Sequence, residues 1–216
     1  MKQEHPLPPQ QGPALSPLDS IVFVVDDDVS MREALAGLIA AAGWCVECFA
    51  SARDFLARPI IDTTSCLVLD VRMPGTDGFE LQRKLVAAGR DMAVIFITAH
   101  GDIPMAVQAM KAGAFEFLPK PFRGEDLLAA VRQALERDRR AKVQRTERER
   151  IRARRARLTQ REDEVMARVA RGKLNKQIAA ELGVSENTIK AHRRHIMKKM
   201  GAANFAELMM MVERTP

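Results

Sequence analysis

The sequence predicts an α/β chain: a five-stranded, doubly wound parallel sheet, then a helical linker and an all-α four-helix domain with a helix-turn-helix. Five short apolar runs alternate with amphipathic stretches in the first part of the chain. The last 59 residues show helical patterns bounded by glycine and no strand pattern. The net charge is −5 over residues 1–122 and +11 over residues 123–216. This asymmetry indicates two domains with different partners, and the partner of the second domain is expected to be nucleic acid.

The composition is that of a folded protein and excludes several classes. With 47% hydrophobic and 29% charged residues, the chain does not fit a fibre, a disulfide scaffold or a disordered protein. No run approaches the ~20 apolar residues of a membrane helix. Residues 1–19 contain five prolines and predict a flexible tail rather than a secretory signal. Three cysteines favour the reducing cytoplasm.

The first domain is predicted over residues 20–135. Its apolar runs fit strands that are buried on both faces of a sheet: Ile21–Val25, Cys45–Phe49, Cys66–Leu69, Ala93–Ile97 and Phe115–Leu118. The stretches between them fit helices: Met31–Ala41, Ala52–Ala57, Gly78–Ala87, Pro104–Ala112 and a last one from Glu125 onward. This alternation is typical of βαβ units.

Polar residues follow four of the five runs, where the strands end. They are Asp26, Asp27 and Asp28 after the first run, Asp70 after the third, Thr98 after the fourth and Lys120 after the fifth. The carboxyl ends of parallel strands meet at one rim, so these side chains are expected to converge. His100 is expected in an exposed loop at the same rim.

The expected rim has the groups that phosphoryl transfer requires. Clustered carboxylates raise each other's pKa unless a cation is present, and hard oxygen ligands suit Mg²⁺. A carboxylate can accept a phosphoryl group as an aspartyl phosphate, while a metal ion and a lysine stabilise the transferring charge.

Four segments at these strand ends resemble a response-regulator receiver domain, which has a flavodoxin-like fold. They are Val24–Asp28, Leu69–Gly75, Ile97–Gly101 and Phe117–Pro121, and the resemblance covers about residues 20–140. It implies that Asp70 is the phosphoacceptor and that Asp26 and Asp27 hold Mg²⁺, with Asp27 as the direct ligand. It also implies that Asp70 and the backbone carbonyl of Arg72 contribute to the metal site.

The same resemblance implies two further roles. Thr98 and Lys120 would bind the phosphoryl group, and Phe117 would change rotamer when Thr98 moves. For Phe117 the alternative is an ordinary core phenylalanine.

Residues 136–157 predict a charged helical linker. Eleven of these 22 residues are Lys or Arg, four are acidic, and none is Gly or Pro. Good helix formers predominate, so the last helix of the first domain is expected to continue into this segment. Its apolar positions are too sparse for a coiled coil. Direct contact of its arginines with nucleic acid is an alternative.

The last domain, predicted over residues 158–216, has four helical patterns. Thr159 and Glu162 have capping-box spacing before the first, which runs to Ala170. The others are Lys176–Leu182 capped by Asn175, Glu186–Met200 capped by Ser185, and about Asn204 to Val212. Two short helices around a tight glycine turn are typical of a helix-turn-helix.

The third of these helices has two chemically different sides. Ile189, Ile196 and Met200 share one side and are expected in the core. The opposite side carries Asn187, Lys190, Ala191, Arg194 and Lys198, which suit entry into the major groove of DNA. The alternative is an ordinary solvated helix face.

This domain resembles the LuxR-type DNA-binding domain, through Leu158–Glu162, Gly172–Ala179 and Val184–His192. Together with the receiver, the chain is similar to the NarL/FixJ family. The resemblance implies a cytoplasmic response regulator with a sensor histidine kinase as phosphodonor. It also implies a homodimer through the face formed by Ile103–Lys111 and Phe115–Leu118, and activation of transcription at promoter DNA with RNA polymerase.

Two other functions are left open by the residues alone. One is a DNA-binding regulator that does not depend on phosphorylation. The other is a small phosphatase-like α/β enzyme that uses Asp70 as its nucleophile. The family resemblance predicts no enzyme, only a domain that assists its own phosphorylation and dephosphorylation.

Overall fold

The computed structural model describes residues 20–59, 61–99 and 102–214. The predicted tail, residues 1–19, and His100 lie outside the described residues. The chain divides into two compact units between Ala141 and Lys142. In the described ranges, no helix is both long enough and apolar enough to span a membrane.

The first unit contains the predicted parallel sheet. Its strands are β1 Ser20–Val25, β2 Cys45–Phe49, β3 Thr64–Asp70, β4 Ala93–Thr98 and β5 Glu116–Pro119. Their order in the sheet is β2-β1-β3-β4-β5 and every neighbouring pair is parallel. The five-stranded, doubly wound α/β prediction is therefore confirmed. The strand order reverses beside β1, and the carboxyl ends of β1 and β3 lie together at this switch point.

Helices cover both faces of the sheet. They are α1 Val29–Ala41, α2 Ala52–Ala57, α3 Gly78–Ala87, α4 Ile103–Lys111 and α5 Gly124–Arg155. One buried cluster joins Val22 and Val24 of β1 to Leu127 and Val131 of α5. Alternate residues of the same strands pack on the other face with α2, α3 and α4. The strands are apolar on both sides because both sides are covered.

The charged segment at residues 136–157 lies almost wholly within α5, which is 32 residues long. Near the end of the first unit, the buried Asp138 carboxylate accepts a hydrogen bond from the backbone N–H of Ser65, 2.9 Å away. Further along, the fully buried Ile151 belongs to the core of the second unit. Both units therefore use residues of this segment in their folded structure.

The second unit contains α6 Gln160–Ala170, α7 Asn175–Leu182, α8 Glu186–Met200 and α9 Phe205–Glu213. Gly183 joins α7 to α8 with φ +65°, a left-handed conformation that glycine adopts without a steric penalty. The α7–Gly–α8 pair is the predicted helix-turn-helix.

The predicted cap of α7 is wrong. The helix begins at Asn175, so Leu174 occupies the cap position and has no side-chain oxygen to offer. Gln177 reaches back instead and accepts a hydrogen bond from the Leu174 N–H at 2.8 Å. The Asn175 side chain accepts a hydrogen bond from Arg193 of α8 at 2.9 Å and so ties the two helices together.

Candidate functional site: an acidic rim and a basic helix

The carboxyl ends of β1, β3 and β5 bring a lysine between two buried carboxylates. The Lys120 Nζ lies 3.0 Å from Asp26 Oδ2 and 2.9 Å from Asp70 Oδ1. Asp26 is 1% exposed and Asp70 is 6% exposed, so water screens this interaction weakly. Three side chains predicted to converge are therefore in direct contact.

The other oxygen of each carboxylate is held by the backbone. Asp26 Oδ1 accepts a hydrogen bond from the Asp28 N–H at 2.9 Å, and Asp70 Oδ2 accepts one from the Arg72 N–H at 2.8 Å. The Lys120 N–H in turn donates to the backbone carbonyl of Thr98 at 2.7 Å. The carboxylates therefore keep fixed orientations while their charges face Lys120.

Burial and pairing shift the pKa values of this site. Burial raises the pKa of Asp70, and the hydrogen bond from Lys120 offsets only part of that rise. Burial alone would lower the pKa of Lys120, but hydrogen bonds to Asp70 and Asp26 raise it above its usual value. Lys120 therefore stays cationic and supplies positive charge where a phosphoryl group would approach Asp70.

The remaining predicted residues of the rim differ in exposure. Thr98 is buried at the end of β4, and Phe117 of β5 is half-buried against the core on the α3 and α4 side. Asp27 and Arg72 are exposed. The structure thus joins Asp26, Asp70 and Lys120 by direct contacts and leaves the side chains of Asp27 and Arg72 open to solvent.

Two residues that the sequence analysis missed support the rim. Arg32 of α1 donates a hydrogen bond to the backbone carbonyl of Asp26 at 2.7 Å. Gly78, at the start of α3, lies so close to β3 that a Cβ there would be 2.5 Å from the Asp70 carbonyl oxygen. A glycine eight residues after a strand-end aspartate was the only sequence signal for this close approach.

The oxygen donors at the rim have the chemistry that Mg²⁺ prefers. No three His, Cys, Asp or Glu side chains converge on a metal position anywhere in residues 20–59, 61–99 and 102–214. Mg²⁺ needs only one or two protein carboxylates, because it keeps several waters. Asp26 and Asp70 share one ammonium ion, and Asp27, directly after Asp26 in the chain, adds an exposed carboxylate. This donor set fits Mg²⁺.

In the second unit, α8 has the two predicted sides. Ile189, Ile196 and Met200 are buried, as the sequence predicts. The side chains proposed for DNA contact, which are Asn187, Lys190, Ala191, Arg194 and Lys198, are all exposed. The basic side of the helix is therefore available to a ligand.

A buried carboxylate holds the flank of this helix. Glu162 of α6 accepts hydrogen bonds from Lys199 Nζ at 2.6 Å and from the Thr159 N–H at 2.8 Å. Burial alone would raise the pKa of Glu162, but these hydrogen bonds lower it to about 2. The capping box predicted from Thr159 and Glu162 is present, and its contact with α8 was not visible in the sequence.

Comparison with known proteins identifies both units. The family described as the response regulator receiver domain matches residues 22–132. The family described as bacterial regulatory proteins of the luxR family matches residues 156–212.

Similar proteins match nearly the whole chain. Nodulation protein W of Bradyrhizobium diazoefficiens is 49% identical, over 94% of this chain and 90% of that protein. Response regulator protein TmoT of Ectopseudomonas mendocina is 45% identical, over 91% of this chain and 89% of that protein. A structure of the response regulator StyR is 47% identical with a TM-score of 0.81, and the match covers 91% of this chain and 99% of that one.

We expect Glu162→Gln to destabilise the second unit in a pH-dependent way. The folded-state pKa lies below the usual value of 4.5, so the stabilisation is complete above about pH 5 and is lost as pH falls towards about 2. At neutral pH the free energy of unfolding should fall by about 1–3 kcal/mol, the range for hydrogen bonds to charged groups. Urea denaturation followed by circular dichroism measures this loss, while Trp44 fluorescence reports the first unit separately.

The matched control is Glu213→Gln, because Glu213 is exposed at the end of α9. It should change the free energy of unfolding by less than about 0.5 kcal/mol at every pH. A cost of Glu162→Gln that stays constant from neutral pH to pH 2 would contradict the ion-pair explanation.

Proposed function

The chain belongs to the NarL/FixJ-type response regulators, which join a receiver domain to a LuxR-type DNA-binding domain, and we propose that phosphorylation of Asp70 controls its binding to promoter DNA. As a member of this family it is a transcription regulator. The observation that carries the proposal is the Lys120 ammonium ion between the buried carboxylates of Asp26 and Asp70.

Asp70 is the phosphoacceptor in this proposal. Its carboxylate attacks the phosphorus of a phosphohistidine on a sensor histidine kinase, and an aspartyl phosphate forms as the bond from phosphorus to the histidine breaks. The Asp70 side chain is 9% exposed, against 2% for Asp26, so a donor reaches it more readily. Lys120 and Thr98 then hold the phosphoryl oxygens.

Mg²⁺ is the proposed cofactor, held by Asp26, Asp27, Asp70 and the backbone carbonyl of Arg72. When bound, it neutralises charge on the transferring phosphoryl group. The exposed carboxylate of Asp27 suits a direct ligand. Both oxygens of Asp26 already accept hydrogen bonds, from Asp28 and Lys120, which favours contact through water.

Phosphorylation would act through Thr98 and Phe117 on the surface of α4 and β5. Ile103 is 81% exposed, and Val107 and Met110 are also exposed on α4. An apolar surface of this kind suits a homodimer contact that forms when the receiver changes conformation. We therefore assign dimerisation to the face formed by Ile103–Lys111 and residues 115–118.

The output is binding to promoter DNA in the cytoplasm. Lys190 and Arg194 lie one turn apart on α8 and suit base contacts, with Asn187 one turn earlier and Ala191 against a base edge. Lys198, one turn further on, suits a phosphate. On DNA the dimer would contact RNA polymerase and activate transcription.

The two alternatives predict different behaviour. A phosphatase-like enzyme would release phosphate from a substrate repeatedly without needing DNA. A regulator independent of phosphorylation would bind DNA equally well whether or not Asp70 is modified. In our proposal the receiver assists only its own phosphorylation and dephosphorylation.

We expect a small phosphodonor and Mg²⁺ to add one phosphoryl group to the wild-type chain and none to Asp70→Asn, because the amide is not a nucleophile. Intact-mass spectrometry measures the labelling. Asp26→Asn should raise the Mg²⁺ concentration for half-maximal labelling about tenfold, because it removes a group that contacts the metal through water. Asp27→Asn should raise this concentration further, because it removes a direct ligand.

The matched control is Asp28→Asn, since Asp28 caps α1 through its side chain and contacts the rim only through its backbone N–H. It should label like the wild type. Equal labelling of Asp70→Asn and the wild type would show that the acceptor is another residue. Equal Mg²⁺ requirements for Asp26→Asn and Asp27→Asn would contradict the two ligand roles.

On α8 we expect two variants to weaken DNA binding differently. Arg194→Ala should cost about 1–3 kcal/mol and relax the preference at one or two base pairs. Lys198→Ala should weaken all sequences alike and lower the salt slope by about one ion per protomer. Selection from a random DNA pool, followed by binding titrations, separates the two effects. The opposite pattern, with Lys198 setting base preference, would refute the assignment.

A further inference from the structure

The second unit carries a row of arginines along one side of the end of α5. Ile151 is buried in the core and fixes the rotation of this segment. Arg145, Arg148, Arg152 and Arg155 follow at spacings of three, four and three residues. At 3.6 residues per turn they fall within an arc of about 80° on one side of the helix.

The two central arginines of this row have uncompensated charge. Arg145 pairs with Glu149 and Arg155 pairs with Asp163, at 3.3 and 2.9 Å. Arg148 and Arg152 are exposed and form no ion pair with any carboxylate of the described residues. The row therefore presents two free guanidinium groups between two paired ones.

Arg152 and Arg155 line an open cavity of about 410 Å³. Thr159, Gln160 and Asp163, from the start of α6, also line it. A cavity of this size accepts a small charged group, and guanidinium is the side chain that binds phosphate through two parallel hydrogen bonds.

The start of α6, which lines this cavity, also contacts the recognition helix α8. The first turn of α6 that lines it also carries Glu162, which contacts Lys199 and His195 of α8. His195 lies about 60° around the helix axis from Lys198, which belongs to the proposed DNA side. The start of α6 therefore contacts the end of α5 through the Asp163–Arg155 ion pair and the flank of α8 through Glu162.

We propose that Arg148 and Arg152 bind the sugar-phosphate backbone of DNA beside the base pairs that α8 contacts. This inference rests on the proposed DNA-binding function and adds a second contact region to it. The two residues are about 6 Å apart along the helix axis, which lets them reach neighbouring phosphates of one strand. Phosphate contacts of this kind are independent of sequence and position the protein on the duplex.

An acidic protein surface is the competing occupant of the arginine row. DNA is favoured because the row and α8 belong to one folded unit, and because residues 123–216 carry a net charge of +11. A protein partner would leave the DNA affinity of the free chain independent of these arginines.

The test is the salt dependence of binding to a mixed-sequence duplex DNA, measured by fluorescence anisotropy with the full chain. A plot of log K against log salt has a negative slope. Arg148→Gln and Arg152→Gln should each reduce the magnitude of this slope by about 0.9, and the double variant should reduce it by about 1.8. The affinity advantage of the wild type over the double variant should then shrink about 12-fold between roughly 50 and 200 mM salt.

Arg150→Gln is the matched control. Arg150 is exposed on the opposite side of the same helix, and its removal changes the net charge equally. Its slope should equal that of the wild type. Glutamine and arginine have similar helix propensities, and matching thermal melts confirm equal folding.

The inference is overturned if the double variant has the same salt slope as the wild type. It is also overturned if Arg150→Gln reduces the salt slope as much as Arg148→Gln and Arg152→Gln do. Lys198→Gln separates this failure from failure of the proposed function. If Lys198→Gln lowers the slope and the double variant does not, α8 binds DNA and the arginine row does not. If the wild type shows no salt-dependent binding to DNA, the proposed function and the inference both fail.

Discussion

The Lys120 ammonium ion between two buried carboxylates is the interaction on which the receiver site depends. Asp26 and Asp70 are brought together by the parallel sheet, whose strand order places the ends of β1 and β3 side by side. Two buried carboxylates that contact the same lysine repel each other, and an unpaired buried charge costs several kcal/mol. Lys120 arrives from β5, on the far edge of the sheet, and offsets this repulsion.

The same arrangement connects the site to the rest of the receiver. The backbone N–H of Lys120 donates to the Thr98 carbonyl, so the ends of β4 and β5 are coupled directly beneath the rim. Any new negative group on Asp70 competes for the ammonium ion that Asp26 also holds. Turning such a change into an almost complete switch, from 1:99 to 99:1, requires about 5.5 kcal/mol of differential stabilisation.

Much of this structure was predictable because it depends on local patterns. Apolar runs indicate buried strands, and residues directly after parallel strands share one rim, which was sufficient to place Asp26, Asp70 and Lys120 together. The buried side of α8 followed from helical periodicity. The supporting roles of Arg32 and Gly78, and the contact of Glu162 with α8, were missed because they depend on contacts between elements far apart in the sequence. The cap of α7 was misassigned because Gln177 and Arg193 use groups that a local capping rule does not consider.

The central claim is that phosphorylation of Asp70 sets the affinity of α8 for DNA. The most direct measurement is the dissociation constant of the full chain for a duplex selected from a random pool, with and without phosphorylation of Asp70. If phosphorylation of Asp70 and DNA binding are coupled as strongly as two sites of an allosteric protein usually are, binding should be about 5- to 150-fold tighter after phosphorylation. The DNA affinity of Asp70→Asn should not respond to the phosphodonor. Equal affinities for the phosphorylated and unphosphorylated wild-type chain would contradict the account.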